Sequence, residues 1–301
     1  MKKLGRVVIC GLGVMGASLG HALICRKVAR EVFGLVRRPE VIAPLLKQKL
    51  VHQASVDPAQ VLPDADLVVL AQPVGQIVRQ LEQIAQHLKP GVLCTDVGSV
   101  KQLIVSPAEK ILRGKGHFIG AHPMTGTEKF GFENYIADLY QDMPCIVTPT
   151  RNSDPEALSR VLHFWESVGA RVTQMSAPEH DHLVGFMSHL PHVVSYTLMK
   201  CLREQKEENP FLFDLAGGSF RDMTRIAGSS PDIWIDILQG NKEAILQSME
   251  SFQANWDWLK SCLCEDDFAS IRRMLEDVAR ARQEFSQRTP PDPAGRKPKA
   301  D

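Results

Sequence analysis

The sequence of 301 residues predicts an N-terminal α/β domain built on a parallel sheet, followed by an all-α domain. In the first half of the chain, short apolar runs alternate with helical stretches, which is typical of a parallel sheet covered on both faces. After residue 176 strand-like runs disappear and apolar residues recur at helical spacing. The length also exceeds the roughly 250 residues at which one hydrophobic core stops growing, so two domains are expected.

The α/β domain is predicted to span residues 1–175. Its strands are the runs rich in Val, Leu and Ile, at residues 6–10, 32–36, 66–71 and 91–97. Two further strands, at residues 145–149 and 170–175, flank a helix from about Asp154 to Val168. Asp154 is predicted to be the N-cap of this helix, because its side chain suits that position and Pro155 suits the first helical position.

The helical domain is predicted to span residues 176–287, and the proline-rich, charged tail at 288–301 is predicted to be disordered. From Asn241 onward, apolar residues recur at alternating steps of four and three. They are Ile245, Met249, Phe252, Trp256, Leu259 and Leu263. Such a stripe is typical of packed helix pairs, and its spacing leaves two interpretations open: an intrachain core or the seam of a homodimer.

Composition excludes several classes of partner. The 35 basic and 35 acidic side chains balance, so no net charge attracts nucleic acid or an anionic membrane. No apolar stretch approaches the roughly 20 residues that a membrane span needs, and the N-terminus is interpreted as a strand rather than a signal peptide. Seven cysteines lack the spacing of a zinc site. Reduced thiols, a cytoplasmic location and no bound metal are therefore expected.

A glycine motif, G-x-G-x-x-G at Gly11, Gly13 and Gly16, follows the first predicted strand and opens a helix. The three glycines permit a tight turn, close approach of a pyrophosphate and close helix–strand packing. In this context the motif predicts a Rossmann-type dinucleotide site at the start of the helix. The residues assigned to the site are Gly11, Leu12, Gly13, Val14, Met15, Gly16, Gln72, Pro73 and Asp96.

The end of the second strand carries Arg37 and Arg38 where an NAD site usually carries Asp or Glu. Without that carboxylate a 2′-phosphate is not repelled, and guanidinium groups bind phosphate well. The sequence therefore favours NADP over NAD, the alternative being two solvated surface arginines.

Four blocks after the glycine motif carry a family resemblance: "TDVGSVK", "GAHPMTGTEKFGFENYIADLY", "SHLPHVV" and "GGSFRDMTRIAGSSPDIWIDIL". In this order, over about residues 7–252, the chain resembles the monofunctional prephenate/arogenate dehydrogenases of tyrosine biosynthesis. These enzymes remove a hydride and carbon dioxide from a hydroxy-cyclohexadiene carboxylate, which becomes aromatic. The resemblance implies an NAD(P)-dependent oxidoreductase that forms a homodimer through its helical domain.

The resemblance implies that His122 accepts the hydroxyl proton as the hydride leaves. Pro123 restricts the backbone of the preceding residue and so helps to aim the imidazole. Ser99 matches the family's serine that touches both the histidine and the substrate hydroxyl. Another interpretation of Ser99 is an N-cap for a helix that starts near Val100, and both roles are compatible.

Substrate carboxylates need cations, and by resemblance Arg225 receives the ring carboxylate. Arg221, four residues earlier, is expected to support it if this stretch is helical. Ordinary ion pairing of both arginines with Asp222 is the alternative, and in the family the aspartate's position can reach across a dimer. The other residues assigned to substrate binding are His192, with His189 as the weaker candidate, and Thr127 and Glu128.

His180 and His182 diverge on a helix and do not indicate a metal site.

Two other functions remain open on the sequence. One is a different two-domain NADP-linked reductase, of the β-hydroxyacid or pyrroline-carboxylate type. The other is a dinucleotide sensor without turnover. Within the resembled family, prephenate and arogenate differ by a keto and an amino group. His192 could pair with a keto-acid side chain, which favours prephenate.

Overall fold

A computed structural model of the protein describes residues 4–127, 129–207 and 209–288. Two predictions therefore lie outside the described residues. One is the substrate-binding assignment of Glu128, and the other is disorder over 289–301.

The N-terminal half forms a six-stranded, all-parallel sheet with the strand order β3-β2-β1-β4-β5-β6. The strands are β1 (Leu4–Cys10), β2 (Ala29–Leu35), β3 (Gln53–Ser55), β4 (Ala65–Leu70), β5 (Val92–Asp96) and β6 (Gly116–Phe118). From β1 the chain adds β2 and β3 on one side and then β4, β5 and β6 on the other, so the strand order reverses between β1 and β4. Ligands of such sheets bind at this point, beyond the carboxyl ends of the strands. The predicted fold class, a parallel α/β domain with a helical region after it, is confirmed.

Helices cover both faces of this sheet. They are α1 (Val14–Cys25), α2 (Ile42–Lys47), α3 (Pro58–Val61), α4 (Val74–Ile84), α5 (Gln102–Leu112) and α6 (Pro155–Ser167). Alternate residues of β1 enter two separate hydrophobic clusters, with Val7 and Ile9 on one face and Val8 and Cys10 on the other. Burial on both faces explains why the strands are continuously apolar rather than alternating.

A second sheet of three strands carries the histidine singled out in the sequence. Its strands are β7 (Gly120–Pro123), β8 (Pro144–Thr148) and β9 (Arg171–Gln174), with β7 antiparallel and β9 parallel to β8. Sequence analysis predicted β8 and β9 but not β7, whose four residues are too few for a periodic signal. The predicted cap at Asp154 is confirmed, because its carboxylate accepts a 2.8 Å hydrogen bond from the amide of Ala157.

The rest of the described chain is helical. Its elements are α7 (Ala177–Val184), a π-helical turn (Gly185–His189), α8 (Leu190–Lys206), α9 (Gly218–Thr224), a 3₁₀ turn (Arg225–Gly228), α10 (Pro231–Gly240), α11 (Lys242–Cys264) and α12 (Phe268–Arg288). The π-helical turn interrupts a stretch that the sequence predicts as regular helix, and such turns are frequent at functional sites.

The apolar stripe of α11 lies largely on the surface of the single chain. Ile245 is buried, whereas Met249 is 40%, Phe252 41% and Trp256 60% exposed. Beyond its first turn the stripe is therefore not part of the intrachain core, and an exposed apolar patch of this kind marks a contact surface.

In the described ranges no helix is long and apolar enough to span a membrane. All seven cysteines are free thiols.

Candidate active site

The turn between β1 and α1 has the shape of a phosphate cradle. Gly11 has a φ of 91°, and a Cβ on Gly16 would lie 2.0 Å from the carbonyl oxygen of Gly11. A Cβ on Gly13 would meet nothing within 4 Å, so open space lies over the start of α1. Gly13 caps α1 without a side-chain hydrogen bond, which leaves the first amides of the helix available to an anion. The cradle fits a dinucleotide pyrophosphate.

Other residues assigned to the dinucleotide lie around this turn. Leu12 precedes the cap, and Val14 and Met15 begin α1. Gln72 and Pro73 follow β4, at the crevice where the strand order reverses, and Pro73 caps α4. The side-chain oxygen of Gln72 is buried and has no hydrogen-bond partner among the described residues. A buried polar atom without a partner is costly, so this oxygen fits a donor supplied by a ligand.

Arg37 and Arg38 follow β2 on the surface. The guanidinium of Arg38 lies 3.7 Å from the carboxylate of Glu40, and both side chains are exposed. Glu40 therefore supplies a carboxylate near the arginines, although no acidic residue stands at the end of β2 itself. A surface pair of this kind is weak, so it leaves Arg38 able to reorient toward a phosphate.

The side chain of Asp96 lies in the interior at the end of β5. Its carboxylate is fully buried in an ion pair with Lys101 and accepts hydrogen bonds from the amides of Gly98 (2.9 Å) and Ala121 (3.0 Å). The Lys101 ammonium also donates to the carbonyl oxygen of Ala121 at 2.7 Å. This carboxylate therefore fixes the backbone next to His122, and the assignment of Asp96 to the dinucleotide site stays a prediction.

His122 lies on β7 at one end of a buried chain of side chains. Its Nδ1 is 2.8 Å from Nε2 of His180, and Nδ1 of His180 is 2.7 Å from the carboxylate of Asp181. His180 and Asp181 are fully buried on α7, whereas His122 retains 8% exposure. The site therefore joins a strand of the second sheet to the first helix of the helical region.

Asp181 also caps α5 from outside that helix. Its carboxylate accepts hydrogen bonds from the amides of Lys101 (2.7 Å) and Gln102 (2.9 Å), where α5 begins. Ser99 lies two residues earlier in the loop, half-buried, and α5 has no side-chain cap of its own. The interpretation of Ser99 as the N-cap is therefore wrong, because a residue 80 positions away performs that role.

Burial and neighbouring charges set the protonation of this chain. Burial lowers the pKa of His122 well below its usual value. Repulsion between a protonated His122 and the nearby cationic or protonatable groups of His180, Lys101 and His189 lowers it further. Burial also lowers the pKa of His180, although the hydrogen bond that His180 donates to Asp181 acts in the opposite direction. For Asp181 burial alone would raise the pKa, but hydrogen bonds from His180 and two amides together lower it. At neutral pH both histidines are neutral and Asp181 is a carboxylate.

His189 and His192 lie on either side of the end of the π-helical turn. The Nδ1 of His189 is 3.0 Å from the side-chain nitrogen Nδ2 of Asn241, which also donates to the backbone carbonyl oxygen of Asp181 at 2.7 Å. His192 stacks on Trp234, with ring centroids 3.9 Å apart. His189 is thus hydrogen-bonded within the interior, whereas His192, which is half-buried, packs against the indole ring of Trp234.

The remaining substrate-binding candidates lie on the surface nearby. Arg221 and Asp222 are exposed on α9, and Arg225 begins the 3₁₀ turn that packs against α8. Because α9 ends at Thr224, the expected common helical face of Arg221 and Arg225 is not formed by one regular helix. Burial lowers the pKa of His192 and the charge of Arg225 lowers it further, which places the two residues in one neighbourhood. Thr127 is half-buried beyond β7.

The buried histidines predict a loss of stability on mild acidification. Burial lowers the pKa of His189 to about 4, whereas an unfolded histidine titrates near 6.5. Between these values the unfolded chain binds more protons, so the free energy of unfolding falls as pH decreases. Between about pH 7.5 and about pH 5 the titration of His189 alone should lower the free energy of unfolding by on the order of 2 kcal/mol. His122, His180 and His192 act in the same direction.

Urea denaturation at the two pH values measures this effect. His189→Gln should reduce the pH dependence, whereas the same change at the exposed His117 should leave it intact. Equal stability at both pH values would contradict the prediction.

Sequence reasoning missed the residues that organise the site. Lys101 stood in a quoted motif without a role, His180 was considered as a metal ligand, and Asp181 and Asn241 were not considered. Each of them also makes a hydrogen bond to a residue 20 to 80 positions away in the chain, and no local spacing could reveal those contacts. Within the described ranges, no three His, Cys, Asp or Glu residues are grouped to hold a metal ion.

Family models match nearly the whole described chain. The model described as prephenate dehydrogenase, nucleotide-binding domain, matches residues 20–174. The model described as prephenate dehydrogenase, dimerization domain, matches residues 176–277.

Individual proteins agree with these matches. The chain is 32% identical to the cyclohexadienyl dehydrogenase of Zymomonas mobilis, over 92% of this chain and 94% of that one. It is 30% identical to the prephenate dehydrogenase of Bacillus subtilis, over 90% and 73% of the two chains.

Solved structures are similar over almost the same span. The prephenate dehydrogenase of Aquifex aeolicus, in complex with hydroxyphenyl propionate and NAD+, has a TM-score of 0.88 and 33% identity, covering 94% of this chain and 99% of that one. Synechocystis arogenate dehydrogenase has a TM-score of 0.79 and 29% identity, over 93% and 99% of the two chains.

Proposed function

The chain belongs to the prephenate dehydrogenase family, and on this premise we propose that it converts prephenate to 4-hydroxyphenylpyruvate in tyrosine biosynthesis. The observation that carries the proposal is the neutral, buried His122, held beyond the carboxyl end of β5 in the same half of the molecule as the glycine cradle. A nicotinamide dinucleotide bound in the cradle supplies the hydride acceptor.

The residues of the chain have the remaining tasks of orientation and one proton. As the carbon–hydrogen bond breaks toward the dinucleotide, His122 takes the proton of the hydroxyl on the same carbon. Loss of carbon dioxide then leaves an electron pair with the ring, which becomes aromatic, and the proton returns to the oxygen. Ser99, in the loop after β5, is proposed to hold the hydroxyl during both steps.

Prephenate is favoured over arogenate by the charges around the proposed side-chain pocket. The two substrates differ in a keto or an ammonium group on that side chain. Arg225 is positive and lies close enough to His192 to lower its pKa, so an ammonium group placed there would be repelled. His192 is proposed to lie beside the side chain of the substrate. His189, Thr127, Arg221 and Asp222 are proposed as supporting residues.

Initial rates with prephenate and arogenate, each with NAD+ and NADP+, test the proposal. We expect the highest kcat/KM with prephenate. A preference for arogenate would identify the second candidate, arogenate dehydrogenase, which the similarity to the Synechocystis enzyme keeps in view. Absence of turnover on both substrates would refute the proposed function and favour a reductase of another type or a dinucleotide sensor.

Removing the charge of Arg225 should weaken substrate binding. A charge-assisted hydrogen bond contributes about 1.5–3 kcal/mol, so Arg225→Gln should lower kcat/KM about 10- to 100-fold, mainly through KM. Steady-state kinetics with prephenate measures the change. Arg203→Gln removes an exposed arginine of α8 and serves as the matched control. A KM unchanged in Arg225→Gln would contradict the assignment.

Arg37 and Arg38 are proposed to favour NADP+ by binding its 2′-phosphate. Arg37→Ala and Arg38→Ala should each lower kcat/KM for NADP+ about tenfold and leave that for NAD+ nearly unchanged, because NAD+ lacks the phosphate. Arg30→Ala, at an exposed position on β2, is the control. If the ratio of the two coenzymes does not change, the arginines do not determine the preference.

We also propose a homodimer formed through the helical region, with the exposed stripe of Met249, Phe252 and Trp256 in the contact. The division into units 1–175 and 176–287 remains a proposal. So does the cytoplasmic location, which the absence of disulfides favours.

A further inference from the structure

His180 contacts His122 from a different part of the fold, and Asp181 contacts His180. We infer that these two residues are positioning residues, which fix the His122 tautomer whose Nε2 is free to accept a proton. The inference deepens the proposed function, since it takes His122 as the base of that reaction.

Hydrogen-bond directions along the chain lead to this tautomer. The carboxylate of Asp181 accepts hydrogen bonds and donates none, so Nδ1 of His180 carries the hydrogen toward it. In a neutral imidazole the other nitrogen is then an acceptor, and Nε2 of His180 faces Nδ1 of His122. Nδ1 of His122 must therefore donate. Its Nε2 is left with a lone pair, which is the form that a base requires.

Asp181 is well placed to keep this order, because it cannot rotate away. The amides of Lys101 and Gln102 bind its two oxygens at the start of α5, where the helix dipole favours a negative charge. Asn241 holds the backbone carbonyl of the same residue. The acceptor at the end of the chain is thus fixed by α5 and by the junction of α10 and α11.

The same carboxylate offsets the charge that His122 acquires. The charged and titratable groups around His122 are His180 and Asp181 on α7, His189 on the π-helical turn, and Lys101 and Asp96 next to the β5 end. Lys101 disfavours an imidazolium at His122, and its partner Asp96 compensates in part. Asp181, linked through His180, is the negative group aligned with the imidazole. No proton has to move to His180, since the substrate proton bonds to Nε2 of His122 and later returns.

Nitrogen NMR of histidine side chains in the wild-type protein is the first test. Long-range ¹H–¹⁵N spectra of ¹⁵N-histidine-labelled full-length protein near neutral pH distinguish a protonated from a bare ring nitrogen. The expected result is a protonated Nδ1 and a bare Nε2 for His122, and a protonated Nδ1 for His180. The opposite tautomer at His122 would overturn the inference. This measurement needs no turnover, so it is independent of whether prephenate is the substrate.

Variants test whether the pair causes the order. His180→Phe should mix the His122 tautomers and lower kcat about 10²- to 10⁴-fold, as expected when a catalytic histidine has the wrong tautomer. His180→Gln can donate to Asp181 and accept from His122, so it should recover most of the loss. A His180→Phe protein with the wild-type tautomer would contradict the inference. If that variant does not fold, the wild-type spectrum and His180→Gln still decide the outcome.

A pH profile separates positioning from mere support of the fold. Asp181→Asn removes the negative charge behind His180, so the acidic limb of kcat/KM should move to lower pH while kcat falls. Asp154→Asn alters a cap of the same kind on α6, outside the site, and should leave the limb in place. An unmoved limb in a folded Asp181→Asn protein would show that Asp181 serves the cap of α5 alone.

Discussion

His122→Asn should lower kcat with prephenate by about 10²- to 10⁴-fold, which is the usual contribution of a positioned general base. Asparagine keeps a polar side chain on β7 but provides no lone pair with the basicity of an imidazole. Dinucleotide affinity should be nearly unchanged, because the glycine cradle lies on another element, between β1 and α1.

Two measurements are needed for this variant. Initial rates give kcat, and titration of NAD+ or NADP+ by protein fluorescence gives the dinucleotide Kd. His117→Asn makes the same change at an exposed position on the neighbouring strand β6 and should have no effect on either. A fully active His122→Asn protein would remove the proposed base. A lost dinucleotide affinity would instead mean that the variant disturbs the whole crevice.

Lys101→Met should lower the free energy of unfolding by about 3–5 kcal/mol, because it leaves the Asp96 carboxylate buried without its partner. Both side chains are fully buried, and burial lowers the pKa of the Lys101 ammonium while Asp96 opposes that shift. Activity should fall as well, since the ammonium holds the carbonyl of Ala121 beside His122.

Urea denaturation of Lys101→Met and of Lys101→Met/Asp96→Asn measures the effect. The double variant should recover part of the stability, because asparagine removes the unpaired charge and keeps one acceptor oxygen, which can serve either the amide of Gly98 or that of Ala121. Lys200→Met breaks an exposed pair with Glu204 on α8 and should hardly change stability. A Lys101→Met protein as stable as the wild type would show that the buried pair contributes nothing to the folded state.

The sequence predicts the architecture because the signals for it are local. Continuous apolar runs identify the central strands β1, β4 and β5, whose burial on both faces requires that composition. Asp154 and Pro155 identify the start of α6, and the glycine motif identifies the turn before α1. The sequence does not predict the short strands β3, β6 and β7, since three or four residues carry no periodicity.

Candidate residues such as His122 and Arg225 came from motifs, but their surroundings did not. The apolar stripe of α11 was equally compatible with a core and with a dimer seam, and the exposure of Met249, Phe252 and Trp256 excludes these residues from the intrachain core. Ser99 was assigned to the reaction, with a helix cap as its other interpretation, and Lys101 had no assigned role. The structure gives the cap of α5 to Asp181 and buries Lys101 against Asp96.

The sequence by itself determined the longer strands and the phosphate cradle and singled out His122 as the candidate base, because each depends on the order of neighbouring residues. The tertiary structure alone decided what protonation and orientation that base has. His122 meets His180 across 58 positions, and Asp181 meets the start of α5 across 80. Burial removes water from these contacts, so hydrogen bonds between distant residues set the surroundings of His122, and no local pattern of residues can encode them.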